Sequence, residues 1–392
     1  MENGQKSNVM KVYSRSPIEM KRGEGVYLYD KNNKKYLDFA AGIAVNSLGH
    51  GHPHLINALK KQMDEVIHVS NMYTFAGQEK MAKRLADISF ADYVFFCSTG
   101  VESVETGLKM MRAYHDETGN ANKYRVITIE GAFHGRSMAT ISASAKESCL
   151  KGYLPAMDGF DNVPFNDIEA VKNAICDDTA GILLEPVQGE GGIRVNSKEY
   201  LSEVRKICDE NGLLLMFDEV QCGIGRLGKF FAYEYFGVVP DIISIAKGIG
   251  AGFPLGCCLA TANACSGMKA GSHGSTFGGN PLAMAAGNAV LDIINQHEFL
   301  GHVQGISDFF RQELDALQNR HPEFIFDVRG LGLMLGVRVN TEIREFVGKL
   351  RENGLLTVPA GTDIVRILPP LTITKEDVKE AIDIFEKTIQ ES

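Results

Sequence analysis

Two residues, Asp218 and Lys247, stand where buried chain gives way to a turn. The apolar run Leu213-Leu-Leu-Met-Phe ends in Asp218-Glu219, and the next one, Ile242-Ile-Ser-Ile-Ala, ends in Lys247, followed by Gly248, Gly250 and Gly252. A lysine leaving a buried strand is poorly hydrated. Desolvation and nearby cations lower its pKa and free the amine to attack a carbonyl. An acid delivered at the neighbouring strand end can keep a pyridinium nitrogen protonated, and a Schiff base to pyridoxal phosphate needs both groups. A strand-end Lys–Asp pair alone is more often a structural ion pair, so the reading depends on what accompanies it.

Three further apolar runs end in chemically suggestive turns. Phe96-Cys97-Ser98-Thr99-Gly100-Val101 closes a strand and opens a helix, where backbone N–H groups and the helix dipole make a phosphate cup. Glu130-Gly-Ala-Phe133-His134-Gly135-Arg136 offers an aromatic that could stack on a ring and an arginine that could bind a carboxylate bidentately. Glu185-Pro-Val-Gln-Gly-Glu190-Gly-Gly puts an acid in a flexible loop. Taken singly, these are a core Phe, a surface Arg and an ordinary strand–helix turn.

The elements that must position these residues form a repeating pattern. Short apolar runs at Tyr93–Cys97, 126–129, 181–185, 213–217, 242–246 and Gly256–Ala260 alternate with amphipathic segments. One such segment runs from Ser197, a plausible N-cap, to Asn211, with Gly212 as its stop, and another from Val101 to His115. The pattern predicts an α/β fold with a mostly parallel sheet buried on both faces, with ligands at the carboxyl ends of the strands. The chain ends differ. Gly25 to Phe39 alternates like a hairpin about Asp30–Asn33. The last hundred or so residues mix helices (Asn295 to Gln318, Thr374 to Gln390) with strands (Leu333–Val339, Ile364–Leu368). The expected division is a large domain over 46–290 and a small α+β domain from both termini, 1–45 and 291–392.

Bulk properties exclude several classes. With 392 residues, 44% hydrophobic and 23% charged, the composition is that of a globular protein of two or three domains. A net charge of −9 favours neither nucleic acid nor an acidic membrane surface. Met1–Lys11 is polar and carries no secretory signal, and no stretch approaches the ~18 apolar residues of a membrane helix. The eight cysteines include no C-x-x-C pair, so no zinc or redox motif is indicated and a reducing cytoplasm fits.

Four of these segments together resemble the class III, or ω-amino-acid, aminotransferases: Glu185-Pro-Val-Gln-Gly-Glu-Gly-Gly, Phe217-Asp-Glu-Val-Gln-Cys-Gly-Ile-Gly-Arg, Ala246-Lys-Gly and Gly274-Ser-Thr-Phe-Gly-Gly-Asn-Pro-Leu-Ala. The resemblance runs from about Tyr13 to Pro370. Within that class, Gly42-Ile-Ala-Val-Asn-Ser-Leu-Gly-His-Gly-His-Pro and Phe133-His-Gly-Arg look most like the acetylornithine aminotransferases. The resemblance implies the fold type I architecture of pyridoxal-phosphate transferases (aspartate aminotransferase-like) and a cytoplasmic homodimer with shared active sites. It also implies transamination of N2-acetyl-L-ornithine with 2-oxoglutarate in arginine biosynthesis. Succinyl-diaminopimelate is the first alternative substrate, then ornithine or 4-aminobutyrate.

Residue roles follow from the same resemblance. Lys247 matches the Schiff-base lysine and proton shuttle, and Asp218 the pyridinium partner. Gln221 would contact the phenolic oxygen, with Val220 and Phe133 on opposite ring faces. Thr99, Gly100 and Val101 fall where the family binds phosphate, and Thr276 would reach it from the partner subunit. Arg136 would grip the substrate α-carboxylate. Arg366, in Val365-Arg-Ile-Leu-Pro-Pro-Leu, would bind that of glutamate, and Glu190 would pair with it when the long substrate is present. Two departures stand out: Ser98-Thr99-Gly100-Val101 replaces the usual Asn-Ser-Gly-Ala/Thr, with Val101 bulky enough to crowd the loop, and Cys222 replaces a Thr.

Two other patterns are set aside. Gly223-Ile-Gly225-Arg-Leu-Gly228 matches the G-x-G-x-x-G of an NAD-dependent oxidoreductase, but no helix clearly opens there and no acid follows ~20 residues on at a strand end. His50-Gly-His52-Pro-His54 has no accompanying acids or cysteines, so no metal site is expected. A catalytically dead binding protein on this fold is the remaining alternative, and the intact Lys247–Asp218 pair weighs against it.

Overall fold

The computed structural model describes residues 8–392. The reading of the N-terminus over Met1–Ser7 lies outside the described residues. Seven strands form the central sheet, in the order Tyr93–Cys97, Gly256–Ala260, Ile242–Ile245, Leu214–Asp218, Thr179–Leu184, Arg125–Ile129 and Phe160–Val163. Gly256–Ala260 runs antiparallel to both its neighbours, and the other pairings are parallel. Every residue of the four strands from Gly256–Ala260 to Thr179–Leu184 is buried, as a sheet covered on both faces requires. The edge strand Phe160–Val163 escapes the apolar-run criterion because its middle residues are Asp161 and Asn162, half-buried and exposed on the sheet margin.

Register places the chemistry. Asp218 pairs with Ser244 on the next parallel strand, so Asp218 and the Lys247 turn leave the sheet at the same edge. The helix Gly100–Glu117 packs Val104, Leu108 and Met111 against Met216 and Ile242 on one face. The helix Lys198–Asn211 starts at Ser197, whose hydroxyl accepts the Tyr200 N–H, and ends on Gly212 in the left-handed conformation.

The two chain ends meet in one four-stranded sheet. Tyr27–Asp30 and Lys35–Asp38 form the expected hairpin, and Leu355–Leu356 pairs parallel with Lys35–Asp38. The fourth strand, Met20–Glu24, joins antiparallel; its Met-Lys-Arg-Gly-Glu sequence is too charged to read as a strand, which suits a sheet edge. The other small sheet has the order Ile325–Leu331, Met334–Val339, Ile364–Ile367, Val358–Ala360. Helices His297–Arg320 and Lys375–Gln390 pack on each other. The expected single helix from Asn295 to Gln318 instead begins at His297, because Gln296 is extended and separates it from Pro281–Ile294.

Candidate active site

Lys247 opens a short turn, Lys247–Ile249, with a φ of 48°. A non-glycine residue held there is strained by about 1–3 kcal/mol, a sign that the surroundings over-determine it. The Ser47 hydroxyl donates to the Gly248 carbonyl at 2.7 Å and helps hold the turn. Burial, and then the charge of Arg366, brings the Lys247 amine down to about 8. Asp218 is buried. Its Oδ1 accepts the Val220 N–H at 3.0 Å, and its Oδ2 lies 2.8 Å from His134 Nδ1. A carboxylate only accepts, so Nδ1 is the donor. Lys247, Asp218, His134, Phe133, Val220 and Gln221 all border one cavity of about 360 Å³.

At one end of this cavity lies the Ser98–Val101 turn. Thr99 caps the helix Gly100–Glu117 by accepting the Glu102 N–H. Glu102 in turn takes the Ser98 N–H at 3.0 Å and the Thr99 hydroxyl at 2.9 Å. First-turn N–H groups have no intrahelical acceptor, so those of Gly100 and Val101 remain for an anion. The bulk of Val101 is accommodated by Gly135, where a Cβ would come within 2.6 Å of Val101 Cγ2. Gly100 plays the same part for Val220, since a Cβ there would lie 2.8 Å from Val220 Cγ1.

Arg366 and Glu190 lie outside the cavity lining, behind Gln221; Arg366 is buried and its Nη1 lies 2.7 Å from Glu190 Oε1. The same Nη1 donates to Gln221 Oε1 at 3.1 Å, while Arg366 Nε is buried without a partner. The cation is held beside the cavity by one carboxylate and one amide.

Three groups escaped sequence reasoning. His134 lay in a motif singled out for Phe133 and Arg136. Glu185 lay in the motif singled out for Glu190, yet it lines the cavity and accepts the N–H groups of Phe133 (3.0 Å) and Gly189 (3.3 Å). Burial, and then neighbouring Asp218, pushes its carboxyl up to about 7. Glu219 is buried, accepts the Ala232 and Tyr233 N–H groups, and is pushed up to about 8 by burial. The signal available was an acid within a run of buried residues. Arg136 and Thr276, in contrast, are exposed and do not border the cavity; the Arg136 guanidinium sits 5.4 Å from the Phe133 ring centroid. The histidine tract is split, with His50 on Asp38 and His54 on Asp292.

A lysine and an acid at adjacent strand ends and a helix N-terminus around one cavity, with a buried arginine held behind Gln221, define an aminotransferase site. The chain belongs to the class III aminotransferases, whose sequence model matches residues 9–389. It is 54% identical over 370 residues to the acetylornithine aminotransferase of Agrobacterium fabrum, covering 94% of this chain and 93% of that one. Among solved structures, the N-acetylornithine aminotransferase of Stenotrophomonas maltophilia is 33% identical with a TM-score of 0.85, covering 97% of each chain. The ornithine aminotransferase of Toxoplasma gondii is 30% identical with a TM-score of 0.94, covering 98% of this chain and 93% of that one. A second structure of the Toxoplasma enzyme is described as having partial occupancy of PLP at the active site.

Proposed function

We propose that this chain transfers the amino group of N2-acetyl-L-ornithine to 2-oxoglutarate, giving N-acetyl-L-glutamate 5-semialdehyde and L-glutamate, with pyridoxal phosphate as cofactor. The observation that carries the reading is the Arg366–Glu190 pair beside the cavity, a carboxylate receptor that can be switched off. The substrate comes from the relatives, of which those in Agrobacterium fabrum and Mesorhizobium japonicum, 54% and 51% identical, are named acetylornithine aminotransferases.

The donor set fits the cofactor: an amine at about 8, a carboxylate with both oxygens held, and a helix N-terminus. When bound, pyridoxal phosphate supplies a carbonyl for the amino group and a ring that accepts the electrons of the broken C–H bond. Asp218, oriented by His134, holds a proton at the ring nitrogen. Lys247 Nζ removes the proton from the amine-bearing carbon of the substrate. Thr99, Gly100, Val101 and, from a second copy, Thr276 hold the phosphate. Phe133, Val220 and Gln221 orient the ring. Arg136 takes the α-carboxylate of acetylornithine while Glu190 neutralises Arg366. With glutamate, Arg366 leaves Glu190 for the substrate α-carboxylate.

The exposure of Thr276, with Phe277 62% exposed beside it, supports a homodimer with shared sites. The separate sheets support a large domain over 46–290 and a small one from 1–45 and 291–392, with the helix Pro281–Ile294 crossing the second boundary. No helix among the described residues is long and apolar enough to cross a membrane, and all eight cysteines are free, which suits a reducing cytoplasm. The test is turnover of acetylornithine, succinyl-diaminopimelate, ornithine and 4-aminobutyrate with 2-oxoglutarate. Acetylornithine should have the highest kcat/KM; preference for any of the others overturns the assignment.

A further inference from the structure

Arg226 is as fully buried as Arg366, yet among the described residues no carboxylate pairs with it. Its Nη1 donates to the carbonyls of Leu333 at 3.1 Å and Pro369 at 2.5 Å, and its own carbonyl accepts the Leu333 N–H at 2.9 Å. Burial pulls the guanidinium down to about 9. A buried unpaired charge is an expensive way to gain stability, and an apolar residue of similar volume often serves as well. Its partners suggest another role.

Leu333 leads into the strand Met334–Val339, whose Gly336 lies opposite Arg366. Pro369 follows the strand Ile364–Ile367 that carries Arg366. On the other side, Arg226 sits in the loop that begins at Asp218 and Gln221, and Gln221 touches Arg366 directly. The loop therefore grips Arg366 through Gln221, and its scaffold through Arg226. The glycine triplet has the same explanation. Gly225 and Gly228 have φ of 81° and 78°, and a Cβ would come within 2.7 Å of Ile294 Cγ2 and 2.5 Å of Gln304 Cγ, respectively. The glycines make a tight loop that can bury an arginine, without a dinucleotide.

We propose that Arg226 is a positioning residue for the substrate-carboxylate site, setting Arg366 against the cavity by tying its two strands to the Asp218–Gln221 loop. The proposal rests on the reading of Arg366 as the glutamate receptor. The effect falls on the half-reaction with glutamate or 2-oxoglutarate, where Arg366 must meet a substrate carboxylate. It spares the half-reaction with acetylornithine, where Glu190 holds Arg366.

The test uses holoenzyme carrying Arg226→Met, Arg226→Lys or Gly332→Ala. Gly332 has a φ of +55°, and a Cβ there would collide with the Arg226 carbonyl, so this variant disturbs the same contact with Arg226 intact. Single-turnover rates are measured for each half-reaction, and the affinity for glutarate, a non-reacting dicarboxylate, by calorimetry. Arg226→Met should lose roughly tenfold or more in 2-oxoglutarate kcat/KM and in glutarate affinity, with acetylornithine changed less than about threefold. Arg226→Lys, which can reach one carbonyl, should recover part of the loss. Equal losses in both half-reactions, or unchanged glutarate affinity, overturn the proposal. If Arg226→Met does not fold, Gly332→Ala decides by the same asymmetry. Arg366→Lys is run alongside. If it leaves the glutamate half-reaction intact, the reading of Arg366 fails and the proposal with it. If it impairs that half-reaction while the Arg226 variants do not, only the Arg226 proposal fails.

Discussion

Replacing Lys247 with Met should stabilise the apo protein. In the folded chain the amine titrates at about 8, against an ordinary 10.5, chiefly because it is buried and then because Arg366 is near. Below pH 8 the folded state carries a charge it disfavours. Between 8 and 10.5 the unfolded chain binds a proton the folded chain has released, so stability rises with pH across that window. At about 1.4 kcal/mol per tenfold change in proton affinity, the penalty at pH 7 is about 3 kcal/mol. Met keeps the length of the side chain without the charge, and the left-handed backbone strain is the same for both residues. Urea unfolding of the two apo proteins, at matched concentration, should show the variant ahead by about 3 kcal/mol at pH 7 and by about 1 kcal/mol at pH 10. A variant no more stable than the parent at pH 7, or a gap that does not shrink with pH, would refute the reasoning. Such a result would mean that the amine is solvated or paired in the apo state.

Any Lys247 replacement, Ala included, should fold yet show no turnover and no cofactor fixed covalently to the chain by borohydride; retained activity would remove the lysine from the mechanism. Glu190→Gln should free Arg366, lowering KM for glutamate and raising that for acetylornithine, each roughly tenfold, since a partly buried ion pair is broken; KM values that move together would show that the pair does not discriminate. Gly100→Ala should press on Val220 and weaken cofactor affinity by about 1–2 kcal/mol. Adding Val220→Ala should relieve that pressure, so the double variant should bind the cofactor no worse than Val220→Ala alone; additive losses in equilibrium titrations would count against the contact.

Asp218 and Lys247 were legible because each terminates an apolar run, and in a parallel sheet such termini collect at one edge. The strands behind them were legible for the same reason, within a residue or two. Phe160–Val163 and Met20–Glu24 were not, since edge strands need no apolar face and carry polar or charged residues. The left-handed stretch Ala41, Gly42, Ile43 and Ala44, which leads to Val45 in the cavity wall, has no local signature, because three of those residues ordinarily avoid positive φ. Glu185 and Glu190 occupy one motif, and nothing local says that the first borders the cavity while the second reaches Arg366.

By itself, then, the chain order determined which groups could do chemistry and at which edge of the sheet they emerge, because burial imposes a short-range pattern that residues carry on their own. Which of them meet was decided by the tertiary structure alone. His134 on Asp218, Gln221 and Glu190 on Arg366, and Arg226 on Leu333 and Pro369 join residues far apart in the chain. Such contacts depend on strand order and register, and no local periodicity encodes those.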